Sequence, residues 1–569
     1  MKKKGRTTRI LLTLVVLSLI VLSGCLQDTL SRNQEPQDEQ EQIDAEEERQ
    51  RQEEEKNLEE ERQREERVAR EAALREQLGA FFVPLPPVDG RDNPAVKAKG
   101  IYVTGHMVAS KNRFEELVTL IEATELNTMV IDVKNDHGLM TYRSEIEIIN
   151  EMNANKGAII KDMDAVLTEL NEREIYPIAR VVVFRDPHLP EMKKEWAIQK
   201  RNGGGQWRDP SNFAWVNPYE KNVWDYNIAI AKEAAIKGFR EIQFDYVRFP
   251  ENAKRVDREA EFPGANGRAK DEAIEGFLAY AQEQLKEYNV HVSADVFGVI
   301  ATSKGDADGI GQNWEKVSPQ VDIICPMIYP SHYGPGYFGF SVPDANPAGT
   351  INRALVDAIK RNATLETPAV IRPWLQSFTA SWVKGNIVYG PAEVRAQIDA
   401  ALDLGIDEFL IWNAANRYSS GSFLTPSEAK TRAAAGAAQR LAKSHDVLGR
   451  TAETALVSYL DAVKTKNWRD VYLWQVRDFV VSETEFKAWV ESWTSSLQAY
   501  TSIATEQDGR FTVDMELKVN DEIVTMVAEH FTIVMENNVW KVDPPQSFVD
   551  IISKKEVSSG STEEASNNN

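Results

Sequence analysis

Residues 241–250 read EIQFDYVRFP, an apolar β-type run that ends in Asp245, continues through Tyr246 and Arg248, and stops at Pro250, which does not carry a central strand further. A carboxylate at the end of a buried strand is where an α/β barrel keeps its chemistry. Working outward, seven more runs of this kind occupy residues 100–104, 128–133, 176–184, 291–295, 322–328, 369–373 and 408–412. Most are near-continuous apolar runs, as parallel strands covered on both faces require. Between them, residues 114–125, 160–172, 223–237, 269–288 and 392–404 carry apolar side chains at helical spacing. Eight such units predict an α/β fold of the (β/α)₈ TIM-barrel type over residues 97–443. A doubly wound open sheet competes, but no G-x-G-x-x-G follows the first strand.

The strand tips of such a barrel converge on one rim. Asp245 and Asp295, on neighbouring tips, form the pair that glycoside hydrolysis needs: one carboxyl protonates the leaving oxygen, and the other attacks carbon or activates water. The bland alternative is that each caps a helix or pairs with Arg180 or Arg248. Asp136 is a third candidate, balanced against an Asx-turn with Gly138. Tyr329, Tyr333, Trp374 and Trp412 supply flat apolar faces with a polar edge, and Gln376 and Asn413 stand beside the tryptophans as hydrogen-bonding groups. His137, Arg180, Tyr246, Arg248, His332 and Arg372 complete the expected substrate-binding set; Arg180 and Arg372 suit orienting carboxylates better than binding phosphate. Four histidines, His106, His137, His188 and His332, fall just beyond strand ends, yet no H-x-H, H-x-x-x-H or H-E-x-x-H spacing occurs, so neither a metal nor another cofactor is expected. Cys325, inside an apolar run, reads as a packed thiol.

The flanks are of a different kind. Lys2, Lys3, Lys4, Arg6 and Arg9 precede an apolar run over residues 10–22 and then Ser23, Gly24 and Cys25, a secretory signal over residues 1–25. The run is shorter than the roughly 20 residues a spanning helix needs. Residues 26–96 form a charged low-complexity spacer and a Pro-rich linker, FFVPLPPVDGRDNP; the spacer is helical or disordered, with a short oligomerisation helix through Val68, Ala72 and Leu78 as the alternative. The Gly-rich insertion at 187–218 reads as a loop or hairpin over the third strand. After residue 448 the pattern changes to expected helices at 453–465 and 483–498 and antiparallel strands at 510–519, 522–529 and 531–535, with turns at Asn520-Asp521 and Asn537-Asn538 before Trp540. Residues 449–552 thus make a small α+β domain, and 553–569 a disordered tail. The formal charge of −22 argues against a nucleic-acid partner. Oligomeric state is not fixed by these features.

Three resemblances follow. Leu22-Ser23-Gly24-Cys25 resembles a bacterial lipobox, which implies diacylation of Cys25 and attachment to the cell membrane facing outward. The ordered set KGIYVTG, MVIDVKNDHG, ARVVVFRDP, WVNPY, IQFDYVRFP, SADVFG, CPMIYPSHY, IRPWLQSF and IWNAANRY, across residues 97–440, resembles the glycoside hydrolase-like domain of bacterial secreted proteins and lipoproteins. It implies a TIM-type barrel with Asp245 as the key carboxylate. Element order and AVKTKNWRDVY make the C-terminal domain similar to the cone fold shared by nuclear transport factors and ketosteroid isomerases. The combined expectation is a lipid-anchored, extracytoplasmic glycoside hydrolase acting on a cell-envelope or extracellular polysaccharide. A silent carbohydrate-binding or envelope-assembly lipoprotein and a metal-dependent hydrolase or deacetylase are the alternatives.

Overall fold

The computed structural model describes residues 35–87, 93–476, 486, 495–505, 509–519, 522–536 and 538–552. The expected signal with Cys25, most of the expected helix at 483–498, the Asn520-Asp521 turn, Asn537 and the tail 553–569 lie outside the described residues.

Eight parallel strands close into a barrel: β1 (Lys99–Val103), β2 (Thr128–Lys134), β3 (Tyr176–Val182), β4 (Glu241–Asp245), β5 (His291–Phe297), β6 (Ile323–Ile328), β7 (Val370–Ile371 and Trp374–Gln376) and β8 (Phe409–Trp412). Each pairs with the next, and β8 returns to β1 with Ile411 beside Ile101. That last pairing closes the sheet and excludes the open doubly wound alternative. Residues 369–373, expected as a whole strand, cover only the first part of β7. Pro373 lacks an N–H for the ladder, so the strand breaks there and resumes at Trp374, which pairs with both Met327 and Leu410.

Helices cover the outside. The 17-residue helix Lys221–Lys237 ends where Gly238 adopts φ 120°, a conformation that costs glycine little. Phe277, on the helix Lys270–Leu285, meets Phe184 and Phe244 edge-on at 5.3 and 5.2 Å between ring centroids. Along EIQFD, therefore, Ile242 and Phe244 face the helices, while Glu241, Gln243 and Asp245 point into the barrel, following the strand period of two. The interior is filled by Tyr102, Val130, Ile178, Cys325 and Leu410 with other buried neighbours, and Cys325 accepts a contact from Gln243 Nε2 at 3.4 Å. The 187–218 insertion folds into short helices and a hairpin, with Gln199 bridged to Gln206 and Arg208 to Ala214.

The charged spacer forms a 44-residue helix, Glu35–Leu78. Within it Arg62 pairs with Glu59 and Glu66 one turn to either side, and Leu58 and Val68 are exposed. No helix among the described residues is long and apolar enough to cross a membrane. The C-terminal region has its own core, in which Leu456, Tyr459, Val513, Phe531 and Trp540 are buried. Two helices, Ala452–Thr465 and Trp468–Trp474, precede a four-stranded antiparallel sheet of β9 (Ser496–Thr505), β10 (Arg510–Val519), β11 (Glu522–Glu536) and β12 (Val539–Asp543). The chain is already extended at residues 496–498, where helix was expected. The strands expected at 522–529 and 531–535 are one. Ala528, at φ 56°, donates its N–H to Asp514 Oδ1 at 2.8 Å, so the strand bulges instead of ending.

Candidate active site

At the tip of β4 the backbone turns at Tyr246, whose φ of 50° is in the left-handed region that a non-glycine residue seldom adopts. The turn aims the Tyr246 N–H at Asp245 Oδ1, 2.5 Å away. From β3, one period further round the barrel, Arg180 donates Nε and Nη2 to Asp245 Oδ2 at 2.9 and 2.5 Å. Its Nη1 donates to Asp132 Oδ1 at 2.6 Å, and Nη2 also reaches Asp136 Oδ1 at 3.2 Å. Tyr102 donates its hydroxyl to Asp132 Oδ2 at 2.6 Å. The guanidinium lies 5.4 and 5.5 Å from the ring centroids of Tyr102 and Trp412, which stack on each other 4.1 Å apart. Burial works against the charge of Arg180, but its carboxylate partners outweigh it and hold the pKa well above the ordinary value.

Asp295 stands on the next strand. The register of β4 with β5 pairs Phe244 with Ala294, so Asp245 and Asp295 follow side by side at the interstrand spacing of about 4.8 Å. Asp295 is 2% exposed, and Trp374 donates its indole N–H to Oδ1 at 2.7 Å. Burial first, and then the neighbouring Asp245, push its pKa well above the carboxylate range. The two carboxyls of one cavity thus have opposite surroundings: one is gripped by a guanidinium, the other is buried beside an indole.

The cavity they share measures about 500 Å³, within the range of small-molecule sites. Asp136, Arg180, Asp245, Tyr246, Arg248, Asp295, Tyr329, His332, Trp374 and Trp412 all line it, as the strand-tip reading expects. Trp374 does so as a buried hydrogen-bond donor more than as an open platform, being 1% exposed. Four expected members are elsewhere. Arg372 is at the opposite end of the barrel, paired with Glu241 and Glu408, because β7 runs on past Pro373 and leaves Arg372 near its start. Gln376 is fully buried and ties loops together, accepting from the Ser331 N–H and hydroxyl and donating to Asp344 and the Phe378 carbonyl. Asn413 donates to the Ser377 and Arg417 carbonyls. His137 is exposed on the second loop and is absent from the cavity wall.

Glu251, Phe297, Gly298, Val299, Met327 and Tyr333 line the cavity as well. Glu251 directly follows the EIQFDYVRFP stretch and pairs with Arg248 Nη2 at 2.9 Å. At Gly298 a Cβ would lie 2.6 Å from both the Met327 carbonyl and the Tyr333 hydroxyl, so only glycine lets the fifth loop close over the sixth strand. Asp132, behind Arg180, has the clearest sequence signal, since it is in phase with the inward-facing Val130. Among the described residues, no group of three or more His, Cys, Asp or Glu is placed to hold a metal.

A family model described as "Putative glycosyl hydrolase domain" matches residues 100–418, more than half of the chain. No curated protein matches the chain. Among solved structures, a hypothetical protein from Ruminiclostridium thermocellum is 43% identical over 34% of this chain and 97% of its own, with a TM-score of 0.31. The glycoside hydrolase domain of PgaB from Bordetella bronchiseptica is 11% identical over 57% and 97%, with a TM-score of 0.42. An α-galactosidase from Thermus thermophilus is 13% identical over 63% and 67%, with a TM-score of 0.37.

Proposed function

The chain belongs to this glycosyl hydrolase domain family, and from that premise we propose that it hydrolyses glycosidic bonds of a cell-envelope or extracellular polysaccharide, using Asp245 and Asp295 as its working pair. The observation that carries the proposal is their opposed surroundings within one cavity. Two titratable groups whose environments are driven apart supply an acid and its counterpart. Asp295 is the proton donor. Trp374 fixes Oδ1 as an acceptor, so the proton is carried on Oδ2 and passes to the glycosidic oxygen as the bond to the leaving alcohol breaks. Asp245 supplies the negative charge opposite, attacking the anomeric carbon or taking a proton from the water that does. Arg180 and the Tyr246 N–H set the direction of its two oxygens. Water completes the reaction, its hydroxyl going to the sugar; its proton goes to Asp295 where Asp245 has attacked carbon, and to Asp245 where water attacks directly, in which case Asp245 gives it up to solvent and Asp295 takes one back.

The signal and the Cys25 lipobox support placing this barrel outside the cell on a lipid anchor, with the charged spacer separating it from the membrane. Purified full-length protein is incubated with envelope glycans and the products are weighed by mass spectrometry. New reducing ends are expected from the wild type and none from Asp245→Asn; equal turnover by both sinks the mechanism. A second reading, binding without cleavage, is favoured by one detail: both Asp245 oxygens are already engaged by protein donors. Glycan retained intact by the wild type is its signature.

A further inference from the structure

Trp382 is 68% exposed, the only tryptophan or phenylalanine exposed to that degree among the described residues. A lone exposed apolar side chain needs no explanation, but this one is the outer end of a row. Its ring stacks on Phe378, with centroids 6.1 Å apart and planes 20° from parallel. Phe378 in turn meets Tyr329 and His332 edge-on at 5.8 and 6.4 Å. Tyr329 and His332 are walls of the catalytic cavity. The row therefore runs from Tyr329 and His332, just beyond β6, to Phe378 and Trp382 on the loop that follows β7, at the strand-tip end where a barrel binds its substrate.

The loop is held at several points. The Phe378 carbonyl accepts from Gln376 Nε2 at 3.0 Å, the Tyr389 hydroxyl donates to the Asp344 carbonyl at 2.9 Å, and the Tyr389 N–H donates to Thr379 Oγ1 at 3.0 Å. An indole face is thus kept in water on an anchored loop, although nothing in the loop's own hydrogen bonding requires an aromatic there. Flat apolar faces bordered by polar groups fit the C–H faces of a pyranose, whose hydroxyls remain solvated at the edge.

We propose that Phe378 and Trp382 form an outer subsite for a further sugar unit of the same glycan whose reacting bond lies between Asp245 and Asp295. The occupant is an oligomer or polymer that leaves the cavity across this side of the rim, so the site takes more sugar units than the two that flank the reacting bond. This rests on the glycoside hydrolase reading for the identity of the occupant.

The test is affinity electrophoresis of the full-length protein in native gels cast with soluble starch, hydroxyethylcellulose, glycol chitin or polygalacturonate. The parent Asp245→Asn protein is compared with Trp382→Ala, Trp382→Phe and Val388→Ala made in the same Asp245→Asn background, so that the polymer stays intact. Val388 is an exposed residue of the same loop, outside the row. The expected result is that at least one polymer retards the parent protein, that Trp382→Ala binds it about tenfold more weakly, equivalent to about 1.4 kcal/mol, and that Trp382→Phe and Val388→Ala bind as the parent does. Retardation unchanged in Trp382→Ala, or weakened equally in Val388→Ala, or absent from the parent with all four polymers, overturns the subsite. Product masses from the Asp245 wild type are read separately: Trp382-dependent retardation without cleavage defeats the hydrolytic reading and leaves the subsite standing, and cleavage without Trp382 dependence does the reverse.

Discussion

Two buried arginines occupy opposite ends of the barrel, and strand β4 contributes a carboxylate to each. At its start Glu241 receives Arg372 Nη1 on both oxygens at 2.8 Å, while Arg372 Nε donates to Glu408 at 2.8 Å and the Ser293 hydroxyl donates to Glu241 Oε1 at 2.5 Å. At its end, four residues and about 13 Å further on, Asp245 receives Arg180. In the lower cluster every carboxylate is held by the cation: Arg372 contacts both Glu241 and Glu408, and the Ser293 hydroxyl fills a further place on Glu241. The upper one has three carboxylates on Arg180, of which Asp136 also lies 3.9 Å from Arg185, and, beside them, Asp295, which has no ion pair among the described residues. Burial and the neighbouring Asp245 push the Asp295 pKa up. A cluster whose carboxylates all share its cation serves the fold; a cluster with one carboxyl left outside its cation, on a cavity wall, is equipped to move a proton.

The largest effects should separate the two ends. Asp245→Asn is expected to lower kcat at least about 10³-fold with no loss of secondary structure by circular dichroism. Arg372→Met is expected to do the opposite, leaving Glu241 and Glu408 buried without their cation, at a cost of about 3–5 kcal/mol in urea denaturation, while kcat per folded molecule is unchanged. A catalytic defect in folded Arg372→Met would mean that the lower cluster reaches the chemistry. Next in size, Asp295→Asn is expected to reduce kcat about 10²- to 10⁴-fold and to remove the alkaline limb of the pH profile. Wild-type activity is expected to fall as pH rises through the raised pKa of Asp295. An aryl glycoside with a good leaving group should recover part of the loss, since it needs less protonation; equal loss on both substrates would take the acid role from Asp295.

Most of this contrast was legible along the strands and little of it between them. Strand tips can be read because an apolar run that ends in a polar residue marks the end of burial, and most of the expected side chains at the tips do share the cavity. Arg372 misled because the expected strand ended at residue 373, which put Arg372 at its tip. In the structure the proline only interrupts β7, and the two segments on either side pair with the same neighbour, β6. Gln376 and Asn413 lie near the true tips but spend their hydrogen bonds on loop carbonyls, a choice set by loop geometry that no local pattern encodes. Glu251 and Gly298 were passed over for a related reason: one is defined by its pairing with Arg248, the other by the approach of Met327 and Tyr333 from a different strand. The alternation of Glu241, Gln243 and Asp245 was present in the sequence. Its meaning appears only when Arg372 and Arg180 are seen at the two ends.

The smallest expected effect sharpens the comparison through stability. A carboxyl whose pKa is higher in the folded than in the unfolded chain binds more protons when folded, so stability falls as pH rises from the unfolded value, about 3.9, towards the folded one. Asp295 is such a group, raised first by burial and then by Asp245. Glu408 of the lower cluster is also raised by burial, with Arg372 opposing. Its contribution is common to wild type and Asp295→Asn and cancels when the two are subtracted. The difference in unfolding free energy between Asp295→Asn and wild type should therefore move in favour of the variant as pH increases from 4 to 8, with a slope of at most about 1.4 kcal/mol per pH unit. Urea midpoints across that interval measure it. A difference that stays flat would show that Asp295 is ionised in the folded protein at neutral pH, and the upper cluster would then lack its proton.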